Sequence, residues 1–230
     1  MRNIFLVIFL LFSLSSSCQT NSGKSVKNTQ LDSEKILIVY LSRTKNTKAI
    51  AEMIQQKVGG DLVELELEKP YPENYQAIVA QVARENETGF LPPLKTKVDV
   101  SKYVTIFIGF PTWGMQLPPP MKSFLHENDL SGKTVIPFNT NAGYGVGSSF
   151  KIVKELCPKS QVLEGFSTKG GIERDGVLFV MEGKKQVEVL EEVKRWLRKL
   201  DIHQKLLPKL RPPKMGINVQ SSLPPMGAMK

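Results

Sequence analysis

Hydroxyl, amide and guanidinium side chains are concentrated at residues 42–47, between an apolar run and a helical pattern. They belong to Ser42, Arg43, Thr44, Asn46 and Thr47. When a loop leads straight into a helix, its backbone N–H groups and the positive end of the helix dipole converge on one point, which favours an anion. The stretch therefore predicts a phosphate site. The alternative is a polar loop in which Thr47 serves only as the helix cap.

The same stretch lacks the glycine spacing of the common nucleotide motifs. Neither the Walker pattern nor the G-x-G-x-x-G fingerprint is present, so the sequence does not indicate ATP or a Rossmann-bound NAD. The two histidines, His126 and His203, stand at the end of a predicted helix and in the C-terminal tail. Neither resembles a catalytic base, and no group of residues has metal-ligand spacing.

Two further loops carry residues suited to a planar ring. The loop at residues 109–120 is stiffened by prolines, and its candidate residues are Pro111, Thr112, Trp113 and Gly114. The loop at residues 138–148 has glycines that let a ligand approach the backbone, and its candidates are Thr140, Asn141, Gly143, Tyr144 and Gly145. Together the loops predict the two walls of a site for a heteroaromatic ring. Taken singly, they also fit a Trp packed on a helix and a glycine-rich turn without function.

Apolar runs and helical patterns alternate along the chain and would hold these loops in place. Continuous apolar runs at residues 35–41, 104–109 and 134–138 predict central parallel strands, and residues 61–66 and 160–166 predict edge strands. Helical periodicity occurs at residues 47–58, 75–87, 119–126, 148–156 and 184–200. Ser148 or Ser149 is the expected N-cap of the fourth helix. The alternation predicts an α/β fold, a parallel sheet with helices on both faces, whose ligands bind beyond the carboxyl ends of the strands.

With its three loops in order, the chain from about residue 35 to 200 resembles the flavodoxin-like superfamily. A Tyr-Pro-x-x-Tyr segment at residues 71–75 is similar to one in the bacterial branch of that superfamily. The resemblance implies a doubly wound, five-stranded parallel sheet of order 2-1-3-4-5 with FMN as cofactor. It places the FMN phosphate on the loop at residues 42–47, and the isoalloxazine ring between the loops that carry Trp113 and Tyr144.

Lys45 departs from the family pattern, which usually has glycine at this position of the phosphate loop. If the position needs a positive φ, the lysine costs on the order of 1 kcal/mol. Its charge would also add to the field around the phosphate.

Three functions are compatible with these features. The resemblance implies an electron carrier that docks on a redox partner protein. An FMN-dependent NAD(P)H oxidoreductase acting on a quinone or small-molecule acceptor would also need a pocket over the ring, for which Met115, Gln116 and residues 170–181 are candidates. A flavin-free scaffold of the cell envelope is the third, supported by Lys45 and by the signal-peptide-like sequence of residues 1–18.

The two ends of the chain differ in composition from the predicted domain at residues 34–200. Residues 1–18 resemble a signal peptide that ends in a lipobox-like Ser run before Cys18, with ordinary secretion as the alternative. Residues 19–33 have the composition of a flexible tether, and residues 201–230 form a basic, proline-rich tail. We therefore expect a protein of the cell envelope, anchored by a lipid on Cys18 or periplasmic.

The net charge of +9 is concentrated at these ends, because residues 34–200 carry 23 basic and 20 acidic side chains. No recognisable nucleic-acid module accompanies the charge, so nucleic acid is not an expected partner. Cys157 is the only cysteine besides Cys18, so acylation of Cys18 would leave no internal disulfide.

Overall fold

Six strands form one parallel sheet within residues 35–200, the part of the chain that this computed structural model describes. They are β1 (Ile36–Tyr40), β2 (Asp61–Glu64), β3 (Thr105–Pro111), β4 (Thr134–Asn141), β5 (Gln161–Val162) and β6 (Phe166–Lys169). Their order is β2-β1-β3-β4-β5, and β6 also pairs with β4. The predicted α/β fold and the strand order 2-1-3-4-5 are confirmed.

Five helices connect the strands and cover both faces of the sheet. They are α1 (Asn46–Val58), α2 (Tyr75–Thr88), α3 (Pro119–Glu127), α4 (Ser149–Leu156) and α5 (Gly183–Lys199). Apolar residues of α1 and α5 pack on one face of the sheet, and those of α3 and α4 pack on the other. All five helices lie within one or two residues of their predicted positions, because each has a clear apolar stripe.

The central strands contain long apolar runs because both of their faces are covered. Ile36 and Ile38 of β1 face the core under α1 and α5, whereas Leu37 and Val39 face the opposite core. All four side chains are at most 1 % exposed. This double burial holds the carboxyl ends of β1, β3 and β4 in one row, which is where the three predicted loops begin.

The predicted edge strand at residues 160–166 is interrupted, and its second half extends beyond the predicted end. Residues 163–165 lie outside the strands, and Gly165 packs against α4 so closely that a Cβ there would lie 2.6 Å from the ring of Phe150. After this interruption, β6 pairs with the last four residues of β4. As a result, β6 lies beside the end of β4, from which the third loop begins.

Ser148 is the N-cap residue of α4, as predicted. It makes no side-chain capping bond, and its hydroxyl donates to the Met115 carbonyl instead. The hydroxyl of Ser149 is buried without a partner in the part of the chain described here. The third loop is thus tied to the second loop at the position where we expected a helix cap.

The remaining predictions about the ends of the chain concern residues 1–34 and 201–230, which lie outside the described residues. Between residues 35 and 200, no helix has the length and apolar content needed to cross a bilayer. Cys157 is buried and has a free thiol, and burial raises its pKa to about 11.

Candidate functional site

A cavity of about 270 Å³ opens at the carboxyl edge of the sheet, where the loops after β1, β3, β4 and β6 meet. Twelve of the predicted site residues line it: Arg43, Thr44, Asn46, Thr47, Pro111, Thr112, Trp113, Gly114, Thr140, Asn141, Tyr144 and Gly145. Ser42 and Gly143 are not part of the lining. The three loops that the sequence singled out therefore surround one cavity.

The backbone at the start of α1 offers a row of unpaired donors. Lys45 is the N-cap residue, with φ at 62°, and no side chain caps the helix. The N–H groups of residues 44–47 make no hydrogen bond within residues 35–200. Because the positive end of the helix dipole lies at the same point, this corner of the cavity can bind an anion.

Several side chains of the same loop are already used by the protein. Asn46 donates to the Leu178 carbonyl at 2.6 Å and accepts from the Val180 N–H at 3.1 Å. The hydroxyl of Thr47 pairs with that of Thr140 at 2.8 Å. These residues can therefore offer a ligand their backbone N–H groups, while the hydroxyl of Thr44, which accepts from the Asn46 amide, still has a proton to donate.

The Arg43 guanidinium is bound on all its sides to neighbouring loops. It donates to the Glu173 carboxylate at 2.7 Å, to the Pro72 carbonyl at 3.0 Å and to the Glu73 carbonyl. The sequence suggested Arg43 as a phosphate ligand, but in the structure its side chain joins the phosphate loop to the segments before α2 and after β6. Its positive charge stays at the cavity wall, largely balanced by Glu173.

Trp113 stands on a two-residue hairpin. Its N–H and carbonyl pair with those of Gln116 at 3.3 and 3.1 Å, and Gly114 and Met115 between them both have φ at 57°. These angles are those of a type I′ turn. Tyr71, from the Tyr-Pro-x-x-Tyr segment, meets the indole edge-on, with ring centroids 5.5 Å apart. The indole is thus fixed at the cavity wall while remaining partly exposed.

The glycine-rich loop after β4 is shaped by Asn141. Its carboxamide oxygen accepts from the N–H groups of Gly143 and Gly145, at 2.8 and 3.1 Å. Its amide nitrogen donates to Ser167 in β6 at 3.0 Å. This arrangement leaves Tyr144 at the tip of the loop with a side chain that is 66 % exposed, so its ring is free to cover a ligand.

Comparison with known proteins supports the interpretation of these loops. A model of the family described as flavodoxin matches residues 35–183, which include β1 to β6 and the whole cavity lining. The chain belongs to the flavodoxin family. No curated protein sequence matches it.

Solved structures of similar proteins agree with this family assignment. A putative flavoprotein from Bacteroides eggerthii DSM 20697 is 26 % identical with a TM-score of 0.59, over 73 % of this chain and 98 % of that one. A putative flavoprotein from Bacteroides uniformis ATCC 8492 is 25 % identical with a TM-score of 0.58, over 71 % and 97 %. A flavoprotein from Lactobacillus acidophilus NCFM, solved in complex with FMN, shares the fold at 23 % identity and a TM-score of 0.53, over 63 % and 98 %.

A fourth loop also lines the cavity, and its signal in the sequence is weak. It follows β6 and contributes Gly170, Gly171, Ile172, Glu173 and Arg174. The Asn46 amide bonds hold its far end over the phosphate loop. Residues 170–181 are among the predicted candidates for shaping a pocket over the ring, and the first five of them line the cavity. The signal that could have decided this is the Gly-Gly pair at residues 170–171, a few residues after the predicted strand at 160–166 and at the edge where the other loops meet.

Other lining residues were not among the predicted cofactor contacts. Tyr75, Met115 and Ala142 reach the cavity from α2, from the Trp113 hairpin and from the glycine-rich loop. Within residues 35–200, no group of His, Cys, Asp and Glu side chains could hold a metal ion. The free N–H groups at residues 44–47 and the partly exposed Trp113 suit an anionic, planar cofactor.

Proposed function

We propose that this protein binds FMN in the cavity at the carboxyl edge of the sheet and transfers electrons in the cell envelope. The observation that carries the proposal is the row of unpaired N–H groups at residues 44–47, which belongs to the same cavity as the Trp113 hairpin. The family assignment supports it, as does the FMN complex of the Lactobacillus acidophilus flavoprotein, which shares the fold.

The residues present fit FMN at both ends of the cavity. The phosphate would lie at the start of α1, where it would receive the backbone N–H groups and the Thr44 hydroxyl. Glu173 is the carboxylate that lines the cavity, and Arg43 pairs with it, so repulsion of the phosphate is small. The isoalloxazine ring would lie between Trp113 and Tyr144. Bound FMN supplies the electron chemistry, and the protein holds its ring and limits access to it.

Titration with two flavins tests the binding site. Riboflavin has the same ring as FMN but no phosphate, so we expect FMN to bind at least tenfold more tightly. Thr44→Val should weaken FMN binding about tenfold, because it removes one hydrogen bond to a charged group, and should leave riboflavin binding unchanged. Thr134→Val, at the opposite end of the sheet, is the matched control. Quenching of flavin fluorescence gives the affinities.

The outcome also decides between FMN binding and the flavin-free scaffold. No quenching of FMN fluorescence at micromolar protein would contradict the proposal and favour the scaffold. Equal affinities for FMN and riboflavin would contradict the placement of the phosphate at residues 44–47.

The envelope location rests on residues 1–18, whose sequence supports export. Incorporation of labelled palmitate into the full-length protein, and its loss in Cys18→Ser, would support a lipid anchor. Secretion of an unlabelled protein would indicate the periplasmic alternative. Recovery of the unprocessed chain in the cytoplasm would overturn the envelope proposal.

An FMN-dependent oxidoreductase is the second candidate function. It is favoured by a second, apolar cavity on the far side of the Trp113 hairpin, which a simple electron carrier does not need. Steady-state oxidation of NADH or NADPH with a small-molecule acceptor separates the two, since a carrier has no turnover without its partner protein.

A further inference from the structure

A second cavity, of about 510 Å³, lies against the first one. Arg43, Tyr75, Thr112, Trp113, Gly114 and Glu173 line both. The rest of its lining comes from α2 and Gln116. A ligand in this cavity, which we call the α2 groove, would therefore lie beside a ring held by Trp113.

The wall of the α2 groove is apolar and open to solvent. Ile78, Val79, Val82 and Ala83 form it along one side of α2. Val79 is 45 % exposed although it belongs to a helix that packs on the domain. Apolar side chains that line an open cavity favour a flat hydrophobic molecule, because its binding removes this surface from water.

One end of the groove carries two amide groups whose orientation is fixed by a cation. The Lys122 ammonium donates to Asn86 Oδ1 at 2.8 Å and to Gln116 Oε1 at 2.9 Å. An ammonium group has no acceptor, so both amides must turn their oxygens toward Lys122 and their NH₂ groups away from it. No carboxylate lies within ion-pair distance of Lys122 among residues 35–200, and burial lowers the pKa of its ammonium.

The two NH₂ groups are donors without an acceptor. Neither Asn86 Nδ2 nor Gln116 Nε2 makes a hydrogen bond within residues 35–200. A Cβ on Gly114 would lie 3.7 Å from Asn86 Nδ2, which places this donor at the tip of the Trp113 hairpin. Two amide donors at the end of an apolar slot match the oxygen of a carbonyl group.

The charges around the α2 groove nearly balance. Glu87 and Glu173 both line it, and Arg43 pairs with Glu173. Glu87 has no ion-pair partner in the described part of the chain, and neither does the Lys122 ammonium behind the two amides. The lining therefore offers no excess positive charge to the phosphates of a dinucleotide and suits an uncharged molecule.

We propose that the α2 groove binds a neutral, planar quinone, with one carbonyl oxygen on the amides of Asn86 and Gln116 and the ring against Val79, Ala83 and Trp113. The proposal rests on FMN binding in the first cavity for its redox meaning. Reduction of the quinone to a hydroquinone would take two electrons and two protons, which reduced FMN would supply as it is oxidised.

The test measures binding, so it does not depend on turnover. The probes are 2,3-dimethyl-1,4-naphthoquinone, which cannot react with thiols at its substituted ring positions, and 2,3-dimethylnaphthalene, which has the same shape without the oxygens. The full-length protein, labelled with ¹⁵N, is titrated with each probe. We expect the side-chain amide signals of Asn86 and Gln116 to shift with the quinone, and the quinone to bind at least tenfold more tightly than the hydrocarbon.

Variants separate the groove from the rest of the domain. Ala83→Trp fills the groove and should weaken quinone binding at least tenfold, while Ala80→Trp, an exposed position on the same helix outside the lining, should have no effect. Lys122→Met lets both amides turn over and should bring quinone affinity down to that of the hydrocarbon. Retained hydrocarbon binding in Lys122→Met shows that the variant is folded.

Two results would overturn the proposal: equal affinity for the two probes in the unsubstituted protein, or unchanged quinone affinity in Ala83→Trp. FMN affinity is measured separately for each protein. Quinone binding without FMN binding would refute the proposed function and leave the groove assignment intact. FMN binding without quinone binding would refute the groove assignment and leave the proposed function intact.

Discussion

Lys45 shows how one residue can serve a ligand at the expense of stability. The sequence raised the question of whether this position needs a positive φ, and the observed φ of 62° answers it. Its backbone is left-handed, which is unfavourable for any residue with a Cβ. The conformation lets the chain turn into α1 without a side-chain cap, so the N–H groups of residues 44–47 stay free for an anion.

Lys45→Gly should therefore stabilise the protein. Glycine has no strain at a φ of 62°, and the relief of about 1 kcal/mol is partly offset by the greater freedom of glycine in the unfolded chain. We expect a net rise of about 0.5 kcal/mol in the free energy of unfolding, measured by urea denaturation. Lys45→Ala keeps the strain and removes the charge, so it is the control. A gain in Lys45→Ala equal to that in Lys45→Gly would show that charge, not backbone strain, is responsible.

The partners of the Arg43 side chain are the part of the site that the sequence could not predict. Its place beside the phosphate loop was predictable, because a guanidinium next to free N–H groups is a common anion site. Its partners Pro72, Glu73 and Glu173 are between 29 and 130 residues away along the chain. Only the fold brings them together, so no local pattern could show that the guanidinium is engaged by the protein.

Among the elements, the central strands, β2 and the helices were predictable, and the edge formed by β5 and β6 was not. β1, β3 and β4 contain continuous apolar runs because both faces are buried, and the β-branched residues in these runs favour strands over helices. The predicted strand at residues 160–166 is interrupted at residues 163–165, where Gly165 lies close to Phe150, and a local pattern does not show this break. Ser148 was correctly predicted as the N-cap of α4, but its hydroxyl bonds to Met115 in another loop, which only the fold brings near.

Because the second and third loops lie in close contact, we expect that adding one methyl group at Gly147 strongly lowers the free energy of unfolding. Gly147 has φ at 54°, and a Cβ there would lie 1.9 Å from the Met115 carbonyl oxygen. Gly147→Ala must separate the loops, so we expect a loss of about 2–4 kcal/mol in the free energy of unfolding. Gly132 has φ at 74° and open space around it, so Gly132→Ala should lose only about 1 kcal/mol. Similar losses in the two variants would mean that the loops are not locked together.

At the scale of the molecule, several groups with raised pKa values lie in different parts of the domain. Burial raises the pKa of the Cys157 thiol to about 11. The hydrogen bond to Asp61 and burial raise the pKa of Tyr103 to about 12. Burial is also the main reason why the pKa values of Tyr40 and Tyr71 lie well above the usual range, and the neighbouring carboxylates of Glu64 and Glu85, respectively, are the second reason. The native state therefore keeps protons that the unfolded chain releases at lower pH.

These shifts predict that the protein loses stability at alkaline pH. In the unfolded chain, the thiol and phenol groups lose their protons near their ordinary values of 9.0 and 10.0. Below pH 9 both states are protonated, so the stabilising contribution is fully present. Above pH 9 the unfolded state binds fewer protons than the native state, and the free energy of unfolding must fall with rising pH until the native groups titrate. Urea denaturation between pH 7 and pH 11 measures this fall.

Removal of the responsible groups should flatten the alkaline profile. Tyr103→Phe and Cys157→Ala each delete one proton that the native state retains, so each should reduce the slope of the unfolding free energy above pH 9. Phe90→Leu is the control, since this exposed side chain carries no titratable group, and it should leave the slope unchanged. A profile that stays level up to pH 11 in the unsubstituted protein would contradict the raised pKa values. A slope that persists unchanged in both Tyr103→Phe and Cys157→Ala would assign the loss of stability to other groups.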